Sequence, residues 1–96
     1  MHIDEQTSIH LAELFSALSD PTRLSIISAL LEGEMSVGEI AQGVGISESA
    51  ISHQLRGLRQ MRLVRPRKQG RQVFYCLDDD HVTQLFQLGL DHVLHG

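Results

Sequence analysis

Apolar residues recur at helical spacing over most of this chain. From Thr7 to Leu18, residues Ile9, Leu11, Leu14, Phe15 and Leu18 line one side of an amphipathic helix, which ends near Ser19-Asp20-Pro21. Asp20 can cap the next helix and Pro21 suits its first turn. Up to Gly33, residues Leu24, Ile26, Ile27, Leu30 and Leu31 give that helix a broad apolar face, so it must be well buried. Ser36-Val37-Gly38-Glu39 has the form of a capping box. It opens a short helix that carries Ile40, Ala41 and Val44 and stops at Gly45. Ser47 caps the helix that follows, where Ile51, Leu55 and Leu58 share one face. Ser49, His53, Arg56 and Gln60 point the other way, with Ser52 on the flank.

Beyond this helix the pattern changes. Residues 63–68 and 71–77 flank Gln69-Gly70 and read as a β-hairpin, in which Pro66 demands an edge or irregular position. Asp78 to Asp80 begin a last helix with an apolar stripe of Val82, Leu85, Phe86, Gly89, Leu90 and Val93. No repeat, low-complexity stretch or linker divides residues 1–96, so the expectation is one mainly α domain with a small β-hairpin. Ala41, Gly45 and Ile51 have the spacing that a helix-turn-helix needs for close packing, a left-handed turn and a buried anchor. With the hairpin as its wing, the fold expected is a winged helix-turn-helix.

Charge sharpens that picture. The net charge is −4, yet seven of the eight basic residues lie within positions 56–71: Arg56, Arg59, Arg62, Arg65, Arg67, Lys68 and Arg71. No acid occurs between Ser49 and Leu77, so this stretch carries +7. The rest, with one base and twelve acids, carries −11. A positive stripe on an acidic body suits a polyanion, because phosphate contacts supply most non-specific nucleic-acid affinity. The candidates for base-edge or phosphate contact are Ser47, Ser49, Ser52 and His53, while Arg56, Arg65, Arg67, Lys68 and Arg71 suit phosphate. Glu48 could accept from cytosine N4 or simply complement the helix dipole. A dimer would set two such helices into successive major grooves of palindromic double-stranded DNA.

Cys76 is the only cysteine, which excludes an intramolecular disulfide and suggests a buried structural thiol. The acidic start Met1-His2-Ile3-Asp4-Glu5 and the lack of any apolar run of about 20 residues argue against a signal peptide or membrane span. A cytoplasmic protein with no membrane partner is expected.

The remaining chemistry lies in Asp79-x-His81 and His92-x-x-His95. On one helix, His81 and His92 fall within about 20° of each other but roughly 16 Å apart along the axis. One ion cannot touch both, because nitrogen and oxygen ligands sit at about 2 Å. Two copies in antiparallel contact solve this, bringing the His81 end of one helix to the His92 end of the other. Pairing 81 with 92 and 79 with 95 centres both contacts near position 87, so one register satisfies both. Asp79 must lie at or before the helix cap to turn toward His81. Four such donors close a tetrahedral site, and no spare carboxylate is placed to act as a base, which argues against an enzyme.

The segments Ala17-Leu18-Ser19-Asp20-Pro21-Thr22-Arg23-Leu24 and Ile51-Ser52-His53-Gln54-Leu55, the Gln69-Gly70-Arg71 hairpin and the terminal ligand set together give a family likeness. The chain resembles the ArsR/SmtB family of metal-sensing winged-helix repressors over nearly its whole length, and its zinc and cobalt branch in particular. The resemblance implies a homodimer through the first and last helices, with Asp79 and His81 from one subunit and His92 and His95 from the other. It implies that the metal-free dimer binds operator DNA, and that Zn(II), or Co(II), lowers DNA affinity and derepresses, with metal efflux genes as targets. It also implies that the ring of His92 reaches the Arg62 carbonyl. Ser36-Val37-Gly38 stands where the arsenic, cadmium and lead sensors have Cys-x-Cys, so thiophilic ions lose their site. Two alternatives remain: a nickel sensor that recruits His2 or His10, and a repressor with a vestigial metal site controlled by another ligand or partner.

Overall fold

The computed structural model describes residues 1–96. Helix α1 spans Glu5–Ala17 and α2 Pro21–Leu30; strand β1 is Met35–Ser36; helices α3 and α4 are Val37–Val44 and Glu48–Gln60. Strands β2, Val64–Gln69, and β3, Gln72–Leu77, form the wing, and α5 is Asp80–His95. The helix starts follow the capping chemistry of the sequence. Asp20 accepts from Arg23 N at 3.0 Å, and Ser36 and Glu39 close a reciprocal box at 3.1 and 2.9 Å. α1 begins two residues before Thr7, because Asp4 accepts from Thr7 N at 2.7 Å.

The hairpin belongs to a three-stranded antiparallel sheet of order β1-β3-β2. β1 was not anticipated: at two residues it is too short to show alternation, and Ser36 serves it and the α3 cap together. Pro66 lies on the edge strand β2, opposite Tyr75, where its missing N–H costs no ladder bond. Gln69 pairs with Gln72, leaving Gly70-Arg71 as a two-residue loop. Gly70 has φ 62°, as a primed hairpin turn with glycine at its first position requires.

Ile26, Ile27, Ile40, Ile51, Leu55, Leu58 and Val64 are fully buried and join α2, α3, α4 and the root of the wing into one core. Burial of each such side chain contributes about 1.5–3 kcal/mol. Two expectations are corrected. Leu24 is exposed and Leu31 half-buried, so α2 is covered on a narrower face than its apolar residues suggest. Cys76 is only half-buried, because alternation along β3 turns Tyr75 and Leu77 to the core and Cys76 to the opposite face of the sheet.

Only 12 residues are buried, and α1 contributes just Ala17 to them while α5 contributes just Val82. The Cα radius of gyration is 14.2 Å, against about 12.5 Å for a compact chain of this length. α1 and α5 flank the body without being covered by it.

Candidate functional site

Helix α4 is presented by a tight turn. Gly45 adopts φ 86° and its N–H returns to Ala41 O at 2.8 Å, while Ser47 Oγ accepts from Ala50 N at 3.1 Å and starts the helix. Ile51, Leu55 and Leu58 anchor one face. Ser49, His53, Arg56 and Gln60 are exposed on the other, with Ser52 half-buried between them. Ser47 and Glu48 are exposed at the start of this helix, so all six proposed contact residues of α4 lie on or beside its free side.

Arg23, which the sequence reading left without a role, fixes how α4 is held. Its Nε donates to Gln54 Oε1 at 2.8 Å and its Nη1 to Ala17 O at 3.4 Å, so one half-buried guanidinium joins α1, α2 and α4. Gly57 makes room for it, since a Cβ there would sit 2.7 Å from Arg23 Nη2. The one available signal was that Arg23 is the only base outside the positive stripe.

The wing divides its cations. Lys68 and Arg71 are exposed near the tip and face solvent. Arg67 is engaged instead: its Nε and Nη2 approach Glu34 at 2.6–3.1 Å, its Nη1 donates to Gln69 at 2.8 Å, and its guanidinium lies 5.1 Å from the centre of the Phe74 ring. The bond to Arg67 holds the Glu34 carboxyl below its usual range and raises the guanidinium in turn. Arg65 is exposed as well, and its Nη1 donates to Asp78 O at 2.9 Å.

The four expected metal ligands occupy the two ends of α5. Asp79 is the N-cap, as its orientation toward His81 requires: Oδ1 accepts from Val82 N at 3.1 Å and Oδ2 lies 3.6 Å from His81 Nδ1. Both side chains are open to solvent. His92 and His95 lie in the last turn, also exposed. Within one chain no three His, Cys, Asp or Glu side chains converge; Asp79 and His81 stand together at one end of α5, apart from His92 and His95 at the other. Their nitrogen and oxygen chemistry fits Zn(II) or Co(II). His2 and His10 are exposed too; His10 Nε2 sits 3.2 Å from Gln6 Nε2, beside a shallow groove floored by Glu13, Gln60, Met61 and Arg62.

Between the ligand ends, α5 presents unpartnered apolar surface. A cleft of about 450 Å³ is lined by Phe15, Leu24, Ile27, Val82, Phe86 and Leu90 among others, and opens between α1, α2 and α5. Leu88 is 70% exposed and lies at about 240° from Val82 around α5, on the stripe that carries His81, His92 and His95. In the register that brings His81 to His92 of a second copy, Leu85 meets Leu88 of that copy, because both pairs share the same centre.

A family model described as bacterial regulatory protein, arsR family, matches residues 20–65, which run from the α2 cap to the root of the wing. A transcriptional repressor SmtB homolog of Synechocystis sp. is 51% identical over 83 residues, covering 86% of this chain and 63% of that protein. The HTH-type transcriptional regulator NmtR of Mycobacterium tuberculosis is 39% identical over 93 residues, covering 97% of this chain and 78% of its own. Among solved structures, a homodimeric winged helix-turn-helix DNA-binding domain from Mycobacterium bovis superposes with a TM-score of 0.85. It has 27% identity and covers 97% of this chain and 88% of that one.

Proposed function

The chain belongs to the arsR family of bacterial regulatory proteins, and on that premise we propose that it is a metal-responsive transcriptional repressor. It acts as a homodimer, paired through α1 and α5, that holds palindromic operator DNA when metal-free and releases it when Zn(II), or Co(II), binds. A regulator and not an enzyme is what its relatives are. The observation that carries the metal reading is the division of α5: Asp79 and His81 at one exposed end, His92 and His95 at the other, with an uncovered apolar face between.

In this reading Ser47, Ser49, Ser52 and His53 of α4 meet base edges or phosphates, with Glu48 at the first turn, and Arg56, Lys68 and Arg71 meet phosphates. The contacts of Arg65 with Asp78 and of Arg67 with Glu34 support roles in shaping the wing. Asp79 and His81 of one protomer, with His92 and His95 of the partner subunit, would hold a divalent ion, which would supply a positive centre there when bound. The chain's own contribution is orientation: the cap bond to Val82 leaves Oδ2 of Asp79 free on the side of His81. The expected targets are metal efflux genes. The SmtB homolog and NmtR are named as regulators, which supports this class of activity without choosing the ion.

Subunit mixing tests the shared site. His81→Ala and His92→Ala homodimers each lose both complete ligand sets. In the mixed dimer one set is whole, contributed by Asp79 and His81 of one chain and His92 and His95 of the other. Native mass spectrometry with zinc should find two ions per wild-type dimer, none tightly held by either variant dimer and one by the mixture. No recovery in the mixture would overturn the shared site.

A further inference from the structure

We propose that Arg65 is a positioning residue that ties the Asp79 end of α5 to the exit of helix α4, so that events at the α5 ligands reach the reading helix and wing through it. The inference rests on the reading of Asp79 and His81 as metal ligands. Arg65 is an exposed cation at the root of the wing, where a phosphate contact was the first expectation. Its Nη1 donates instead to the main-chain carbonyl of Asp78, at 2.9 Å. From the same stretch of chain, Leu63 O accepts from Asp78 N at 3.0 Å. Both backbone polar groups of residue 78 are therefore held by Leu63 and Arg65, within the first residues after α4.

That stretch has little freedom of its own. Leu63 N returns to Leu58 O at 3.0 Å and Arg62 N to Arg59 O at 2.9 Å, which closes α4 in a Schellman motif. Arg62 takes the left-handed position of that motif at φ 58°, where glycine is the usual residue. A side chain kept there signals a conformation fixed by its surroundings. Leu63 and Val64 are buried against the core, so the segment moves with α4 and not independently.

On the other side of the clasp Asp79 follows residue 78 directly, in extended backbone with φ −156° and ψ 178°, so its carboxylate is carried by the residue next to the clasp. Drawing the Asp79 carboxylate toward His92 and His95 of the partner subunit pulls residue 78, and through two hydrogen bonds it pulls the α4 exit and β2. Arg65 supplies the one of these bonds made by a side chain, which makes it open to substitution.

The test compares wild type, Arg65→Ala and Lys68→Ala as full-length dimers. Fluorescence anisotropy on operator DNA is run over a range of salt, without metal and with saturating zinc. The expected result for Arg65→Ala is an unchanged metal-free salt slope and zinc affinity of the free dimer within about twofold of wild type. The zinc-induced loss of operator affinity, commonly about 5–150-fold in coupled systems, should fall to less than about a third of the wild-type ratio. Lys68→Ala should do the reverse, lowering the slope by about 0.9 with the zinc ratio kept. Amide exchange gives a second readout: zinc should alter protection across residues 62–65 in wild type and not in Arg65→Ala. A full zinc ratio in Arg65→Ala overturns the inference, as does a slope reduced by about 0.9, which would make Arg65 a phosphate contact. A wild type whose operator affinity ignores zinc overturns the α5 reading itself, and this inference with it.

Discussion

Asp79 divides its carboxylate between two tasks: Oδ1 caps α5 through Val82 N, and Oδ2 stands 3.6 Å from the Nδ1 of His81. The two tasks can be separated by substitution. Asparagine caps a helix about as well as aspartate, whereas alanine costs about 1 kcal/mol. Asp79→Asn should therefore keep the thermal stability of wild type and Asp79→Ala should lose about that amount. Zinc affinity should fall in both, by at least the roughly 10–100-fold that loss of even an outer-shell partner costs. Paired thermal melts and zinc titrations check this. An Asp79→Asn protein with wild-type zinc affinity would reduce Asp79 to a cap.

Leu88 should matter to the dimer and not to the fold of one chain, since it is 70% exposed there. Each leucine buried contributes about 1.5–3 kcal/mol, and each dimer buries two. At about 1.4 kcal/mol per tenfold, Leu88→Ala should weaken dimerisation by roughly a hundredfold or more. Sedimentation equilibrium reads this directly, with helical content by circular dichroism unchanged. An unaltered dimer would place the contact on another face of α5.

Gly57→Ala sets two effects against each other. Alanine in a helix interior is favoured over glycine by about 1 kcal/mol. The new Cβ, however, would stand 2.7 Å from Arg23 Nη2 and displace the guanidinium from Gln54 and Ala17. Two lost hydrogen bonds of about 0.5–1.5 kcal/mol each offset or exceed the helical gain, so unfolding free energy should fall by no more than about 2 kcal/mol. Operator affinity should fall all the same, because α4 loses its brace to α1 and α2. Urea melts and operator titrations on one preparation decide it; unchanged affinity would mean that Arg23 does not orient the reading helix.

The Glu34–Arg67 pair predicts both a salt and a pH signature. Because Glu34 engages its guanidinium in the free protein, Arg67→Ala should leave the salt slope unchanged while Arg71→Ala lowers it by about 0.9. Arg67 holds the Glu34 carboxyl below its ordinary value of 4.5. A depressed folded value means that the contact stabilises the wing in full above the unfolded value and is lost as pH falls through the folded one. Amide protection factors in β2 and β3, with the intrinsic pH dependence of exchange divided out, should hold steady from neutral pH down to about 4.5 and fall below it. Glu34→Gln should remove that step.

Much of this was legible because it is local. The caps at Asp20, Ser36 and Ser47, the left-handed turn at Gly45, the inward Ile51, Leu55 and Leu58 and the edge position of Pro66 each follow from residues within a few places of one another. What was not legible depends on distant partners. Arg23 finds Gln54 31 positions away and Arg67 finds Glu34 33 positions away, and no periodicity announces either. Arg62 in the left-handed region breaks a local preference that would have put glycine there. Asp79 lies between these cases: its spacing to His81 demanded a non-helical position, and the extended N-cap is that position.

Fluorescence anisotropy of the dimer on a palindromic operator from its own promoter, titrated with zinc and then with a chelator, tests the central claim most directly when run beside His81→Ala. The account predicts that zinc releases wild type, that the chelator restores binding, and that the variant stays bound throughout. Wild type that remains on the operator at saturating zinc would contradict it.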